Sequence, residues 1–129
     1  MIHLVTLVLV MTILSSSLYT FSRYYQDVRG SFSRELFSAF IAMYVILMLG
    51  FALIYFSLAE IGYTLLQGEL LQVGSVIERF FHAIYFSGVT LMTIGYGDIT
   101  PVGIGRVIAL VEAFIGFLLP AAFFYKLFR

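Results

Sequence analysis

The sequence predicts an all-α membrane protein, and three observations lead to that prediction. Hydrophobic residues make up 62% of the 129 residues and charged residues only 11%, whereas a soluble domain has about 25% charged residues. The mean hydropathy is +1.06. Long stretches lack charge altogether, notably residues 36–59, and about 20 apolar residues are enough to span a bilayer as a helix.

The first uncharged stretch covers residues 1–22. It is apolar from Ile2 to Leu14 and is then diluted by three serines. A signal peptide would begin with basic residues and end at a small-residue cleavage site, whereas this chain begins with Met1, Ile2 and His3. We therefore predict an additional N-terminal spanning helix, with an interfacial or truncated helix as the alternative.

Two further stretches are long enough to cross the membrane. Residues 36–59 are predicted to form an outer helix, and residues 103–128 an inner helix that carries one carboxylate, Glu112. At about 1.5 Å per residue, both exceed the thickness of the hydrocarbon core. A linker over 23–35 precedes the outer helix.

Residues 80–97 are also uncharged, but we predict a re-entrant unit there. Three glycines interrupt the stretch, and irregular backbone at membrane depth is tolerated only where protein or water covers it. A short pore helix over 77–92 would descend partway, and a strand over 93–98 would return. The loop that connects the outer helix to this unit, residues 60–76, is called the turret.

Basic residues are distributed unevenly among the connections. Arg23, Arg29 and Arg34 lie around the linker, Lys126 and Arg129 end the chain, and Arg79 is the single basic residue near the turret. The positive-inside rule places the linker and the C-terminus in the cytoplasm and residues 59–79 outside. The linker is cytoplasmic or lies on the inner membrane surface.

Composition excludes several function classes. Seven basic residues balance seven acidic ones, so net charge indicates no nucleic-acid partner. Cysteine is absent, which leaves no thiolate metal site, and His3 and His82 have no partners at ligand spacing. We find no nucleophile–base pair and no phosphate-binding loop, and therefore predict no enzyme activity and identify no small-molecule ligand.

The returning strand has an unusual composition. Its six residues are Thr93, Ile94, Gly95, Tyr96, Gly97 and Asp98. A backbone that aims successive carbonyls at one axis alternates between right- and left-handed conformations, and Gly95 and Gly97 reach positive φ without a Cβ clash. Rings of such carbonyls replace the hydration shell of an ion in a selectivity filter. The sequence therefore predicts a filter at 93–98.

These elements together resemble the pore module of two-transmembrane bacterial potassium channels. The resemblance covers about residues 36–128, and the hexapeptide Thr-x-Gly-Tyr-Gly-Asp is its most specific part. The pore-helix positions that match the family pattern are Tyr85, Phe86, Ser87 and Thr90. The positions that match before the inner helix are Pro101, Gly105 and Arg106.

The resemblance implies a homotetramer in the lipid bilayer of a bacterial or archaeal cell, conducting K⁺ passively. The K⁺ ions would be held by the backbone carbonyls of Thr93, Ile94, Gly95 and Tyr96 and by the Thr93 hydroxyl. The residues themselves require several copies, because one strand cannot encircle an ion and oligomers close by cyclic symmetry.

The resemblance also assigns supporting roles around the filter, which continues through Gly97. Tyr96 would pack as an aromatic cuff against Tyr85 and Phe86. Asp98 would lie at the outer mouth and accept a hydrogen bond from the Tyr85 hydroxyl. Several family members pair this Asp with a pore-helix Glu, whose place is taken here by Val89.

The inner helix carries the candidate hinge and gate. Gly116 aligns with a position at which family inner helices bend, although close helix packing explains a small residue equally well. Pro120 removes a backbone donor and can kink the helix. Phe117, Pro120 and Phe124 share one face, which we expect to line the cavity, with Phe124 or Phe128 as a gate that closes by dewetting.

Glu112 is expected near mid-bilayer, where a carboxylate is usually functional. A brace behind the filter through hydroxyls such as Thr90 or Ser87 is favoured over an ion-pathway or proton-sensing site.

Three other functions compete with a potassium channel. A weakly selective cation channel is disfavoured by Tyr96, since such relatives tend to depart from Gly-Tyr-Gly. One unit of a potassium uptake transporter is disfavoured because those proteins repeat the module four times and have degenerate filters. A non-conducting membrane scaffold leaves the hexapeptide unexplained.

Overall fold

A computed structural model describes residues 1–27, 34–68 and 74–128. Three of its helices are long and apolar enough to cross a membrane: α1 over Ile2–Asp27, α2 over Arg34–Ile61 and α4 over Gly105–Leu127. A shorter helix, α3 over Val76–Leu91, lies between α2 and α4 in the chain. The mainly helical fold and the N-terminal helix are therefore confirmed, while residues 28–33 of the expected linker and residues 69–73 of the expected turret lie outside the described residues.

The long helices differ from their expected limits, and two of the three are longer. Helix α1 continues to Asp27, so the first part of the expected linker 23–35 is helical. Helix α2 begins two residues before and ends two residues after the expected 36–59. Helix α4 is shorter than the expected 103–128, because Gly103 has a positive φ of 53° that ends the helical conformation on its N-terminal side.

Helix α1 packs along α2 at a close crossing. A Cβ added at Gly50 would lie 2.5 Å from a side-chain carbon of Leu14, so the glycine lets the two helices approach. Val10 and Leu14 are the buried apolar residues of α1, and most other apolar side chains of this helix are exposed. Small residues at such crossings are typical of helices that associate in lipid.

Helix α3 has a well-defined start in a capping box. The Ser75 hydroxyl accepts a hydrogen bond from the Glu78 backbone N–H, and the Glu78 carboxylate accepts one from the Ser75 N–H at 2.6 Å. This reciprocal pair satisfies two backbone donors that a helix N-terminus otherwise leaves free. Beside it, Arg79 forms a salt bridge of 2.8 Å with Glu60 at the end of α2. These contacts fix the N-terminal end of α3 against α2.

A two-stranded antiparallel ladder connects the loop after α2 to the segment after residue 98. Strand β1, Leu66–Gln67, pairs with β2, Thr100–Pro101, so that Leu66 lies opposite Pro101. The backbone then comes so close at the start of α4 that a Cβ on Gly105 would lie 2.3 Å from the Leu65 carbonyl oxygen. Glycine at position 105 is therefore required by this approach.

Helix α4 buries one stripe of residues, half of them small, against the rest of the fold. The stripe follows helical spacing and consists of Gly105, Ala109, Glu112, Gly116, Leu119 and Phe123. The opposite side is apolar and exposed, including Leu110, Phe114 and Phe117. Small side chains on the buried stripe bring α4 close to α3, which positions the site described next.

Candidate functional site

The end of α3 sets the start of the hexapeptide. The Thr93 N–H donates to the Thr90 carbonyl at 3.0 Å, and the Ile94 N–H donates to the Val89 carbonyl at 2.9 Å. These two bonds form a Schellman motif, in which the residue after the helix cap adopts a left-handed conformation. Thr93 occupies that position with φ of 57°, where glycine is the usual residue. The chain therefore leaves the helix in a fixed direction at Thr93.

The backbone of the hexapeptide alternates as expected for converging carbonyls. Gly95 and Gly97 have positive φ values of 64° and 80°, and nothing lies within 4 Å of a Cβ placed on either residue. All six residues are exposed in the single chain, whereas the next residue, Ile99, is buried. The segment is therefore exposed between two fixed points, the end of α3 and the buried Ile99, and its backbone is accessible to other copies of the chain.

Asp98 and Tyr85 meet at the C-terminal end of this segment. The Tyr85 hydroxyl donates to Asp98 Oδ2 at 2.7 Å, and the Ile99 N–H donates to Asp98 Oδ1 at 3.0 Å. The pKa of the Asp98 carboxyl lies below its ordinary value, mainly because of the hydrogen bond from Tyr85. The same hydrogen bond raises the pKa of Tyr85. Asp98 is therefore a fixed negative charge at neutral pH.

Glu112 lies behind the hexapeptide and has no exposed surface. Its carboxylate accepts a hydrogen bond from the Tyr55 hydroxyl of α2 at 2.8 Å and one from the Ser87 hydroxyl of α3 at 2.5 Å. Ser87 Oγ is also 2.8 Å from the Met48 carbonyl oxygen. One polar cluster therefore joins α2, α3 and α4. Of the two expected partners, Ser87 is the one in contact, and no hydrogen bond from Thr90 to Glu112 occurs among the described residues.

The aromatic residues expected to form a cuff do not share one environment in the single chain: Phe86 is buried and Tyr96 is exposed. Phe86 is buried and packs edge to face on Tyr55, with ring centroids 5.1 Å apart. It also lines a space of about 290 Å³ behind the hexapeptide, together with Thr90, Gly95 and Gly97. Tyr96 is 70% exposed, so its predicted packing partners would belong to another copy of the chain.

Comparison with known proteins decides the family. The model of a family described as "Ion channel" matches residues 43–129. The chain belongs to this ion channel family. It is also 42% identical over 79 residues to Protein LctB of Geobacillus stearothermophilus, and 39% identical over 82 residues to Protein LctB of Bacillus caldotenax. Each match covers 60% of this chain and 59% of the relative, so the channel spans less than two thirds of the relatives' length.

In this ion channel, Gly116 lies where α4 passes the end of α3. A Cβ on Gly116 would lie 1.9 Å from the Leu91 carbonyl oxygen, which is backbone and cannot move aside easily. The Gly116 carbonyl in turn accepts a hydrogen bond of 2.7 Å from the Tyr44 hydroxyl of α2. The structure therefore gives Gly116 a packing role. Its hinge role stays a prediction.

The expected gate face of α4 is partly open in the single chain. Phe117 is 66% exposed and Phe124 is 55% exposed, while Pro120 is half-buried. Phe117 and Pro120 line a groove of about 560 Å³ whose other walls include Tyr44 and Thr93. This face is therefore free to border a central cavity, and the role of Phe128, which is also exposed, stays a prediction.

Sequence reasoning missed the two tyrosines of α2 that contact α4. Tyr44 and Tyr55 are 11 residues apart, which is close to three turns of 3.6 residues, so they lie on one face of the helix. Polar hydroxyls on one face of an otherwise apolar helix indicate interhelical hydrogen bonds. The spacing Ser75-x-x-Glu78 was a second missed signal, because it is the sequence signature of a capping box.

Proposed function

We propose that this chain forms a tetrameric potassium-selective channel that conducts K⁺ passively through residues 93–98. The observation that carries the proposal is the backbone of this segment, whose positive φ values recur at Thr93, Gly95 and Gly97. Alternation of this kind turns successive carbonyls to one side, as a ring of ion ligands requires. K⁺ is held by the carbonyls of Thr93, Ile94, Gly95 and Tyr96 and by the Thr93 hydroxyl.

Four copies surround the ion path. The hexapeptide is exposed in one chain, and a single strand supplies one carbonyl to each ring, so the remaining ligands come from symmetry-related copies. The space behind the hexapeptide, bounded by Phe86 and Thr90, receives the exposed Tyr96 ring of a neighbouring copy. This aromatic packing holds the four strands at a fixed distance from the axis.

The pore helix and the outer mouth favour cations. Helix α3 ends at Leu91, next to Thr93, and a helix C-terminus carries roughly half a negative charge. Four such ends stabilise a cation in the wet cavity below the filter. Asp98 adds a negative charge at the other end of the filter, which raises the local cation concentration.

The proposed orientation places the Asp98 mouth outside and the C-terminal end of α4 in the cytoplasm of a bacterial or archaeal cell. Arg23 and Arg34 then lie at the cytoplasmic ends of α1 and α2, as the positive-inside rule requires. The inner ends of α4, with Phe124, meet at the cytoplasmic side and form the gate. Gly116 and Pro120 lie between the filter and this gate.

Native mass spectrometry of the purified channel, combined with thermal unfolding in K⁺ and in Na⁺, tests the proposal. We expect a mass of four chains and a higher melting temperature in K⁺, because an ion that binds the folded tetramer stabilises it. Gly97→Ala places a Cβ at a residue with φ of 80° and is expected to abolish the difference between the two ions. A monomer or dimer, or equal melting in both salts, would contradict the proposal.

A further inference from the structure

Pro120 leaves one carbonyl of α4 without its helical hydrogen bond. In an α-helix the N–H of residue i donates to the carbonyl of residue i−4, so residue 120 would donate to Gly116. Pro120 lies inside α4 and has no N–H. The Gly116 carbonyl thus loses its backbone donor within a segment long enough to span the membrane. An unsatisfied backbone group costs several kcal/mol in hydrocarbon.

The Tyr44 hydroxyl supplies the missing donor. It lies on α2 and donates to the Gly116 carbonyl oxygen at 2.7 Å, which is a normal length for an O–H···O hydrogen bond. The Tyr44 ring packs edge to face on Phe40, with centroids 5.0 Å apart, and Phe40 packs on Phe123 with centroids 4.6 Å apart. The tyrosine is therefore held in place by α2 and by α4 on the far side of the proline.

The two halves of α4 are held by different contacts. The half before Pro120 is fixed to α3 by the close approach of Gly116 to the Leu91 carbonyl and by the hydrogen bond between Glu112 and Ser87. The half after Pro120 contacts α2 through the Phe40–Phe123 pair. The Tyr44 hydrogen bond joins α2 to α4 at the boundary between these two halves of α4.

We propose that the Tyr44 hydroxyl replaces the N–H that Pro120 lacks and thereby stabilises the described conformation of α4, which we assign to the closed gate. This inference rests on the proposed channel function and adds an interhelical control of gating to it. When the hydrogen bond breaks, the Gly116 carbonyl needs another donor, and water in an open, wet cavity provides it. Loss of the hydroxyl therefore favours the open channel.

A double-mutant cycle tests this pairing. Tyr44→Phe removes the hydroxyl and keeps the ring, whereas Pro120→Ala restores the N–H, so that the Gly116 carbonyl regains its helical donor. The first measurement is single-channel open probability in planar bilayers. The second is the thermal unfolding of the detergent-solubilised channel, which can be measured even if the channel does not conduct. Coupling between the two sites appears as non-additivity of the single changes.

We expect Tyr44→Phe alone to raise the ratio of open to closed channel about tenfold, as loss of one hydrogen bond to a buried acceptor predicts. In the Pro120→Ala background the same change should have less than about a twofold effect, because the carbonyl is already satisfied. Pro120→Leu restores the same N–H with a larger side chain and should give the same result. Tyr63→Phe removes a hydroxyl from an exposed tyrosine beyond α2 and should change neither reading.

Equal effects of Tyr44→Phe with and without the proline would overturn the proposal. A lower open probability in Tyr44→Phe would also overturn it. If the wild-type channel conducts no ions, the proposed function fails, and the unfolding cycle alone decides the pairing: coupling supports the Tyr44 hydrogen bond, and additivity rejects it.

Discussion

Ser87 Oγ and Glu112 Oε1 lie 2.5 Å apart, so α3 and α4 share a buried hydrogen bond behind residues 93–98. Tyr55 extends this contact to the outer helix. Such a cluster rigidifies a core when every member has a partner, and it is strongly destabilising when one partner is lost. A polar cluster behind residues 93–98 therefore connects α2, α3 and α4.

The first prediction concerns Glu112. Glu112→Gln keeps an oxygen for the Tyr55 hydroxyl and offers N–H groups to Ser87 Oγ, whose own hydrogen can then go to the Met48 carbonyl. We expect this variant to conduct K⁺ and to melt near the wild-type temperature. Glu112→Leu leaves the Tyr55 hydroxyl without its acceptor, whereas Ser87 keeps the Met48 carbonyl, and should cost about 1–3 kcal/mol, measured by thermal unfolding.

Replacing all three polar side chains of the cluster tests whether Glu112 acts as a structural brace or supplies a charge to the ion path. The combination Tyr55→Phe, Ser87→Ala and Glu112→Leu removes donors and acceptor together, so it should recover much of the stability lost in Glu112→Leu. A Glu112→Gln channel that folds but does not conduct would reject the brace and favour a role for the carboxylate charge.

A second prediction follows from the pKa of Asp98. The Tyr85 hydrogen bond lowers this pKa, so the contact is present at neutral pH and is lost only as the external pH falls through the lowered value. Tyr85→Phe removes the largest cause of the shift and should move the acid inhibition of K⁺ flux to a higher pH. Asp98→Asn, which cannot titrate, should lack this component. An unchanged midpoint in Tyr85→Phe would show that the hydroxyl does not set the charge at the mouth.

The same substitution should also affect sustained activity. Without the Tyr85 hydroxyl, Asp98 keeps its bond from the Ile99 N–H but loses the tie to the pore helix. We expect conduction through Tyr85→Phe to decline faster during prolonged opening in single-channel recordings. Wild-type kinetics in this variant would count against a role of the pair in holding the filter.

A third prediction separates packing from bending at Gly116. Gly116→Ala places a methyl group 1.9 Å from the Leu91 carbonyl oxygen, so the helices must separate, and we expect a loss of about 1–3 kcal/mol or failure to assemble. Gly88→Ala is the matched control, because its nearest neighbour is the flexible Met48 sulfur at 3.1 Å. Wild-type stability with altered gating in Gly116→Ala would instead indicate a hinge.

A fourth prediction addresses the gate. Phe124→Ala removes a large exposed ring near the C-terminal end of α4, which should widen and wet the constriction that we propose four such rings form. We expect a higher baseline K⁺ flux in liposomes. Tyr125→Ala removes a ring of similar size from the adjacent position and should have the smaller effect. An unaltered closed state in Phe124→Ala would place the gate elsewhere.

Much of the architecture follows from apolar runs and glycine positions. The lengths of the uncharged stretches predict the membrane-length helices, and Gly95 and Gly97 predict the alternating backbone, because these signals are local in the chain. The conformation of Thr93 was not predicted, since its positive φ arises from the helix cap and not from the preference of threonine. Ser87 was predicted as a partner of Glu112, whereas the tyrosine partners of Glu112 and Gly116 depend on how α2 crosses α4. A tyrosine in an apolar helix does not reveal which carbonyl or carboxylate it will meet.

The central claim is that residues 93–98 select K⁺ in a tetramer, and ion flux tests it most directly. The purified 129-residue chain is reconstituted in liposomes, K⁺ and Na⁺ fluxes are compared, and Ba²⁺ is added as a pore blocker, with Gly97→Ala as the filter control. The account predicts strong K⁺ preference, block by Ba²⁺ and loss of selective flux in Gly97→Ala. Equal K⁺ and Na⁺ fluxes through the wild-type chain would contradict it.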